Sequence, residues 1–375
     1  MITENWLLLS LFMGISAFSL WADKNTKWGK SIGSVNISLI AGMLLVNFKL
    51  VPEWSDIHDI VFTYIVPVSI ALLLFQADIK GIIKVGPKLI FTFAIGAIGT
   101  MIGAIVAALI FDLGPQSWIV YGGLTATYIG GSANLAAVTT ALNLDPAMFV
   151  AINAADIVLF FFWMAFLFQA AKSSFFKKRY LTYTESLSNS NSFETDKFDE
   201  LESHSIKGID VAIVLAVAIA CAAAGELIGR VTGIPGIIFT TTIVLILANF
   251  TNINKMTVAQ DIGIWLFMVF FVTIGAMALI KDIVASGVNV FWGTGTVILI
   301  HGIVTFLLGK VFKLPLEYIL LSSCANIAGP GSSGPMAATL GWEDLILPGI
   351  LIAVLGAAGG TYCGFGIAYF LKAIL

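Results

Sequence analysis

Apolar segments about as long as a bilayer is thick follow one another along almost the whole chain, and this feature constrains the fold more than any other. A helix needs about 20 apolar residues to cross the hydrocarbon core, and it satisfies its own backbone hydrogen bonds there. The segments are 5–22, 33–48, 60–77, 89–111, 147–171, 208–230, 235–250, 257–279, 287–309 and 344–373. The sequence therefore predicts an all-α integral membrane protein with ten spanning helices, the shorter of which tilt or thin the bilayer.

The composition supports this class and disfavours water-soluble ones. Hydrophobic residues make up 59% of the chain and charged residues 11%, whereas soluble domains carry about 25% charged residues. The net charge of −3 argues against nucleic acid as a partner. Cys221, Cys324 and Cys363 lie far apart within apolar runs, so we predict neither a disulfide framework nor a zinc site.

The first apolar segment follows Glu4 rather than a basic region, so we interpret it as a spanning helix and not as a cleaved signal peptide. The start also lacks the Arg- and Ser-rich composition of a transit peptide. We therefore expect a multi-pass protein of the bacterial inner (plasma) membrane. The expected partners are the lipid bilayer, a small-molecule substrate and a second copy of the chain in a homodimer.

A polar stretch at 172–207, which cannot bury a core, divides the chain almost in half. The predicted organisation is a first repeat at 1–171, a linker at 172–207 and a second repeat at 208–375. A shift of about 200 residues aligns features of the two halves. The aligned features are Asn47-Phe48 with Asn249-Phe250, Ile79-Lys80 with Ile280-Lys281, Phe111 with Phe312, Gly131-Ser132 with Gly331-Ser332, and Thr139 with Thr339.

Two further apolar segments, 117–142 and 316–340, are interrupted by glycine in the middle. The pieces on either side of each interruption are about a dozen residues long, which is too short for a crossing. The interruptions are Gly130-Gly131 in the first segment and Gly329-Pro330-Gly331 in the second.

The distribution of Lys and Arg places the loops near Lys24 and Lys80 and the linker 172–207 in the cytoplasm. The number of crossings agrees with that orientation if each interrupted segment is a re-entrant hairpin. The two halves then have opposite topology, which gives two inverted five-helix repeats with one hairpin each. An alternative, in which each interrupted segment is one broken crossing helix, remains open.

Matched breaks in inverted repeats are the best sequence indication of a transporter binding site. Hydroxyl and amide side chains beside the breaks can cap the half-helices that follow, and the N-termini of those half-helices attract anions. Close helix packing through small residues is the alternative explanation. The candidate substrate-binding residues are Thr127, Tyr128, Gly130, Gly131, Ser132, Asn134, Asn326, Gly329, Gly331, Ser332 and Ser333.

Asp156 lies about nine residues into an apolar helix, where a carboxylate is expensive and indicates function. Asn153 lies one turn earlier on a neighbouring face, and Gln76 lies at the end of segment 60–77. We interpret these three as ion-coupling residues, with Na⁺ or H⁺ as the coupling ion and no other cofactor. A structural hydrogen bond of Asp156 is the alternative. His301, in an apolar run, is more typical of a satisfied structural group.

No catalytic constellation is present, so we do not expect an enzyme. His58, His204 and His301 lie in three different environments, and no G-x-S-x-G, P-loop or H-E-x-x-H motif occurs. The sequence also lacks the charged pore rings that are typical of ion channels.

The segments YIGGSAN (128–134), ANIAGPGSSGPMAA (325–338) and LLLFQADI (72–79), with the Asp156 helix, resemble the family catalogued as domain of unknown function 819. That family resembles the superfamily of cation/proton antiporters and anion transporters, which includes sodium–glutamate, sodium–citrate and bile-acid symporters. The resemblance implies inverted repeats, a core domain that slides against a scaffold, and sodium or proton coupling. It also implies that Gly130–Asn134 and Gly329–Ser333 hold substrate and ions.

The chain departs from the symporters at the breaks, because neither carries an arginine to clamp a di- or tricarboxylate. We therefore expect ion-coupled secondary active transport of a small polar or anionic solute by alternating access. One alternative is a cation/proton antiporter that uses Asp156. An alternative of another class is a non-transporting membrane assembly factor.

Overall fold

The computed structural model describes residues 1–77, 86–181 and 208–375, and this part of the chain is helical. The first half contains α1 (Asn5–Asn25), α2 (Lys27–Ile32), α3 (Ser34–Asn47), α4 (Asp56–Ile60), α5 (Val66–Leu74), α6 (Pro87–Ile110), α7 (Ser117–Gly130), α8 (Ser132–Ala141), α9 (Pro146–Lys172) and α10 (Ser174–Lys177). The second half contains α11 (Gly208–Thr232), α12 (Gly236–Phe250), α13 (Val258–Gly275), α14 (Ile280–Val311), α15 (Leu316–Ala328), α16 (Pro330–Thr339) and α17 (Ile346–Ile374).

Each of the ten predicted spans corresponds to a helical segment, and the predicted all-α membrane class is confirmed. In the described part of the chain, 8 helical segments are long and apolar enough to cross a membrane. The helices α3 and α12 have only 14 and 15 residues. At about 1.5 Å per residue they are shorter than the roughly 30 Å of hydrocarbon. Their crossing of the bilayer, and the inverted arrangement of the repeats, stay predictions.

A π-helical turn, Val61–Ile65, joins α4 to α5. Pro67 follows it in the first turn of α5, and a proline has no N–H to donate to the preceding turn. The backbone N–H of Val66 accordingly bonds the carbonyl of Val61, five residues back. The wider turn thus accommodates Pro67 without ending the apolar segment, which continues as one span from Asp56 to Leu74.

The helices form two compact units, and each unit takes segments from both halves of the chain. The division of the sequence into repeats at 1–171 and 208–375 therefore differs from the division in space, and it stays a prediction. Residues 182–207 of the predicted linker and the aligned pair Ile79-Lys80 lie outside the described residues. The first unit is Met1–Gln76, Ala136–Ala155 and Gly208–Phe291, and the second is Ala77–Leu135, Asp156–Lys207 and Trp292–Leu375.

In the first unit, α13 packs against α1, α3 and α5, and α11 packs against α12. Glycine allows these backbones to approach closely, as is common between membrane helices. A Cβ atom at Gly42 of α3 would lie 2.7 Å from the backbone nitrogen of Ala276. A Cβ atom at Gly229 of α11 would lie 2.8 Å from the Cα atom of Gly236. Larger residues at these glycines would separate the helices.

The second unit contains an antiparallel pair, α7 and α17, that meets along a seam of small residues. On α7 the seam recurs every fourth residue, which places its members on one helix face. A Cβ atom at Gly360 of α17 would lie 2.8 Å from both the carbonyl oxygen of Ala126 and the Cα atom of Gly130. A Cβ atom at Gly122 would lie 2.5 Å from that of Ala368. The seam fixes the position of the first glycine break, which follows directly at the end of α7.

Candidate functional site

The two glycine breaks have the same unusual backbone conformation. Gly131, between α7 and α8, has φ 89° and ψ 179°, and Gly329, between α15 and α16, has φ 70° and ψ −169°. This region of φ/ψ space is essentially restricted to glycine. Gly331 instead lies inside α16. The alignment of Gly131 with Gly331 is therefore wrong by two residues, and the structural equivalent of Gly131 is Gly329.

The two breaks also meet in space, within the second unit. A Cβ atom added at Gly329 would lie 3.8 Å from the Cα atom of Gly131, and one added at Gly131 would meet nothing within 4 Å. Helix packing explains the neighbouring Gly130, where a Cβ atom would lie 2.6 Å from the carbonyl oxygen of Gly356. Packing does not explain Gly131, which is partly exposed and borders open space.

Asn134 fastens the start of α8 to α17. Its Oδ1 atom accepts hydrogen bonds from the backbone N–H of Thr361 at 2.8 Å and from the Thr361 hydroxyl at 2.5 Å. Its Nδ2 atom donates to the carbonyl of Gly130 at 2.8 Å. Oδ1 thus already has two partners and Nδ2 one, all from the protein. The side chain holds the break in place, and its predicted contact with a substrate gains no support from this geometry.

Capping of the second half-helix by a serine is not observed. The N-cap of α16 is Gly329, without a side-chain hydrogen bond, and the buried Ser333 donates to the carbonyl of Gly349 at 2.9 Å. The expectation that a hydroxyl side chain beside the break caps the half-helix is therefore not met at α16. Ser132 is exposed and Ser332 is half-buried, so their hydroxyl groups lie beside the breaks without being enclosed.

Tyr128 connects the first break to Asp156. Tyr128 is fully buried, and its hydroxyl donates to Oδ1 of Asp156 at 2.6 Å. Its backbone dihedrals, φ −85° and ψ 15°, leave the helical range three residues before Gly131. Arg230 and Glu226 form the one ion pair found among the described residues, so Asp156 has no cationic partner in that part of the chain. A carboxylate whose hydrogen-bond partner is a phenol can be neutralised by taking up a proton or by binding a cation.

A buried histidine joins three helices next to this pair. Nδ1 of His301, on α14, lies 2.9 Å from the carbonyl oxygen of Gly96 and 3.0 Å from the Thr100 hydroxyl, both on α6. Nε2 lies 2.9 Å from the hydroxyl of Ser323 on α15. The Thr100 hydroxyl donates to the carbonyl of Tyr128 at 3.2 Å. That carbonyl belongs to the non-helical residue of α7, so the cluster stabilises the kink before the break.

The partners of His301 fit a neutral imidazole with its proton on Nδ1. The carbonyl of Gly96 can only accept, so Nδ1 carries the proton and Nε2 accepts from Ser323. Ser323 in turn accepts from Nε1 of Trp163 at 3.1 Å. Every polar atom of the imidazole is thereby satisfied without a positive charge. Both ring nitrogens of His301 thus have protein partners, as expected of a satisfied buried histidine.

Asn326 occupies the place on α15 that Tyr128 occupies on α7, three residues before the break. Its Nδ2 atom donates to the carbonyls of Ser322 at 2.9 Å and Phe93 at 3.2 Å. Its Oδ1 atom and the hydroxyl of Ser322 are buried, and neither has a hydrogen-bond partner among the described residues. Buried acceptors are seldom left unpaired, so Oδ1 of Asn326 is available to a cation or to a donor group of a solute.

The remaining predicted residues do not all belong to this unit. Thr127 is buried on α7 beside Tyr128. Gln76 belongs to the first unit and is half-buried just beyond the end of α5. Asn153 belongs to the first unit too, and its Nδ2 atom donates to the carbonyl of Phe149 in its own helix at 3.0 Å. In the described residues, no group of three His, Cys, Asp or Glu could hold a metal ion.

Three residues of the site escaped the sequence analysis: Thr100, Trp163 and Ser323. Each is a hydrogen-bonding side chain inside an apolar helix, and this polar character is the only feature of the sequence that could have identified it. Membrane helices carry many such hydroxyl groups, which bond their own backbone four residues back, as Thr305 bonds His301 here. The sequence does not distinguish those from the ones that bond another helix.

Two comparisons agree with the resemblance found in the sequence. The family profile described as "Protein of unknown function (DUF819)" matches residues 10–374. The "Uncharacterized membrane protein YjcL" of Bacillus subtilis (strain 168) is 28% identical over 379 residues, which cover 96% of this chain and 95% of that protein. The profile spans nearly the whole chain, including both glycine breaks and Asp156. The chain is therefore a multi-pass membrane protein that belongs to the DUF819 family.

Proposed function

We propose that this protein is an ion-coupled secondary active transporter of a small polar or anionic solute, working by alternating access in the bacterial inner membrane. The observation that carries the proposal is the meeting of Gly131 and Gly329, which share a glycine-only conformation, with open space beside Gly131. Helices broken at membrane depth are tolerated where they line a cavity, and transporters use such breaks to bind solutes and ions.

Asp156 supplies the coupling step in this proposal. Its carboxylate is bonded to the Tyr128 hydroxyl three residues before the first break, so a change in its charge acts directly on that break. An unpaired charge at this depth would cost several kcal/mol, about the scale for an isolated buried charge. Binding of Na⁺ or H⁺ to the carboxylate removes that cost, and release restores it. The carboxylate would therefore be neutralised once in each cycle.

The polar groups around the breaks favour a small solute. Ser132 and Ser332 offer hydroxyl groups, and Asn326 offers an unpaired carbonyl oxygen. These are hard oxygen donors, which suit Na⁺ or the donor groups of a polar solute. No arginine lies in 128–134 or 325–338. A di- or tricarboxylate would lack the bidentate partner that such groups usually bind.

The test is a thermal-unfolding screen of the purified full-length protein across sodium, potassium and choline salts and a set of small metabolites at constant ionic strength. A ligand of the folded state raises the melting temperature by mass action. Hits are then tested for uptake into proteoliposomes with and without a sodium or proton gradient. Sodium- or proton-driven accumulation of one hit is the expected result.

The same experiment separates the alternatives. Cation exchange for protons in the absence of any solute, lost in Asp156→Asn, would replace the proposal by the antiporter. If no ion or metabolite stabilised the protein and no gradient-driven uptake occurred, transport would be refuted and the assembly-factor alternative would remain.

A further inference from the structure

A strongly basic cavity of about 490 Å³ lies in the second unit, away from the glycine breaks. Five cationic side chains from two distant stretches of chain line it, and all five are exposed. Among the described residues that line it, none is acidic. The cationic residues are Lys177, Lys178, Arg179, Lys310 and Lys313.

Specific contacts hold the two stretches together, so the cavity is a built feature and not a chance approach of loops. The backbone N–H of Leu316 donates to the carbonyl of Leu181 at 2.9 Å. The hydroxyl of Tyr180 donates to the carbonyl of Phe306 on α14 at 3.1 Å. The Tyr180 ring also packs against the rings of Phe306 and Phe176. These contacts fix the end of the α10 segment against the end of α14.

Backbone hydrogen bonds in the turn after α14 fix the positions of Lys310 and Lys313 along the chain. Lys313 has φ 51°, and its backbone N–H bonds the carbonyl of Lys310. The N–H of Leu314 bonds the carbonyl of Gly309. These two bonds satisfy carbonyls at the C-terminal end of the helix, where the helix dipole would otherwise repel an anion. Five cations confined together repel one another, and a bound anion relieves that repulsion.

The surroundings of the cavity identify the kind of anion. Leu307 and Val311, on the last turns of α14, are 59% and 69% exposed, and Phe312, just beyond its end, is 51% exposed. Phe175 on α10 is 55% exposed. The guanidinium of Arg179 lies 4.2 Å from the centre of the Phe175 ring. Exposed apolar side chains next to cations are typical of the boundary between hydrocarbon and headgroups. The positive-inside pattern also assigns this face to the cytoplasmic leaflet, which carries anionic lipids.

We propose that this cavity binds the phosphate of an anionic phospholipid headgroup, with the acyl chains along the exposed apolar face of α14. A phosphate offers several charge-assisted hydrogen bonds to lysine and arginine. The proposal does not depend on the transport activity.

The test measures binding of phosphatidylglycerol and of phosphatidylcholine to the full-length protein in a neutral detergent, by native mass spectrometry. The pocket variant is Lys310→Gln/Lys313→Gln. The control variant is Lys27→Gln/Lys30→Gln, which removes two exposed charges from α2 on the same predicted face. We expect wild-type protein and control to prefer phosphatidylglycerol at least about tenfold, and the pocket variant to lose the preference.

The outcomes distinguish a site from a general surface charge. An equal loss in both variants would show a diffuse surface effect, and an unchanged preference in the pocket variant would also overturn the proposal. Displacement of the lipid by glycerol phosphate or inorganic phosphate at similar concentrations would make the ligand a soluble anion and overturn the lipid assignment. If the pocket variant does not fold, Lys177→Gln/Lys178→Gln tests the other wall of the cavity with the same expected loss.

Discussion

Replacing Tyr128 by phenylalanine tests whether Asp156 is charged when no substrate is bound. The substitution removes one oxygen atom from a fully buried side chain, and with it the 2.6 Å hydrogen bond to Asp156. A hydrogen bond to a charged group contributes about 1.5–3 kcal/mol to stability, and one between neutral groups about 0.5–1.5 kcal/mol. An ionised Asp156 predicts the larger loss. It also predicts that a coupling cation stabilises Tyr128→Phe more than it stabilises the wild type.

A matched control lies on the same helix. Tyr121 is also fully buried, and its hydroxyl donates to the backbone carbonyl of Phe111 at 3.0 Å, so its partner is uncharged. Tyr121→Phe removes the same atom and should cost about 0.5–1.5 kcal/mol. Its stability should respond to sodium and to pH as that of the wild type does. This control separates the loss of a buried phenol from the loss of a partner of Asp156.

The assay is the unfolding of wild type, Tyr128→Phe, Asp156→Asn and the double variant in detergent, at constant ionic strength with sodium or choline and at several pH values. The four proteins form a double-mutant cycle. Interacting residues give a coupling energy of about 0.5–3 kcal/mol, whereas independent sites add within about 0.5 kcal/mol. Additive effects, or a sodium response that is the same in all four proteins, would refute the argument that Tyr128 and Asp156 form one ion-sensitive pair.

Further predictions concern coupling, the breaks and the topology. Asp156→Asn should fold and bind solute but lose ion- or proton-dependent uptake, and retention of that dependence would make the aspartate structural. Gly131→Leu and Gly329→Leu should abolish transport. The control is Gly114→Ala, at a loop glycine with φ 80° and no neighbour within 4 Å of an added Cβ atom. It should cost only about 1–2 kcal/mol of backbone strain and leave transport intact. Normal transport by both leucine variants would exclude the breaks as the site. A single cysteine at Ser190 should resist an impermeant reagent in intact cells, because 172–207 is predicted to be cytoplasmic, and external labelling would instead favour broken crossing helices.

The sequence predicted the helices well because a helix that crosses a membrane requires a long, continuous run of apolar residues. Every long apolar run became a helix, and both glycine interruptions became breaks. A Cβ atom would disfavour the backbone conformation of Gly131, so the presence of glycine there already indicated the break. The register between halves was harder. Gly329 and Gly331 are both glycines, and only the backbone dihedrals show that Gly329 is the break.

The roles of individual polar side chains could not be read from the sequence in the same way. Asn134 was grouped with ligand-binding residues because it follows the break, yet it bonds Thr361, which is 227 positions away along the chain. The hydrogen bond between Tyr128 and Asp156 likewise joins residues on different helices. A single sequence contains no information on such pairings, because many hydroxyl and amide groups in apolar helices have the same local pattern.

The seam between α7 and α17 has a mechanical consequence. Flexible side chains normally absorb small shifts between helices, but here Ala126, Gly130 and Gly360 bring backbone against backbone. The bonds from Asn134 to Thr361 prevent one helix from slipping along the other. An axial shift of α17 would therefore carry Gly130 and the adjoining Gly131 with it.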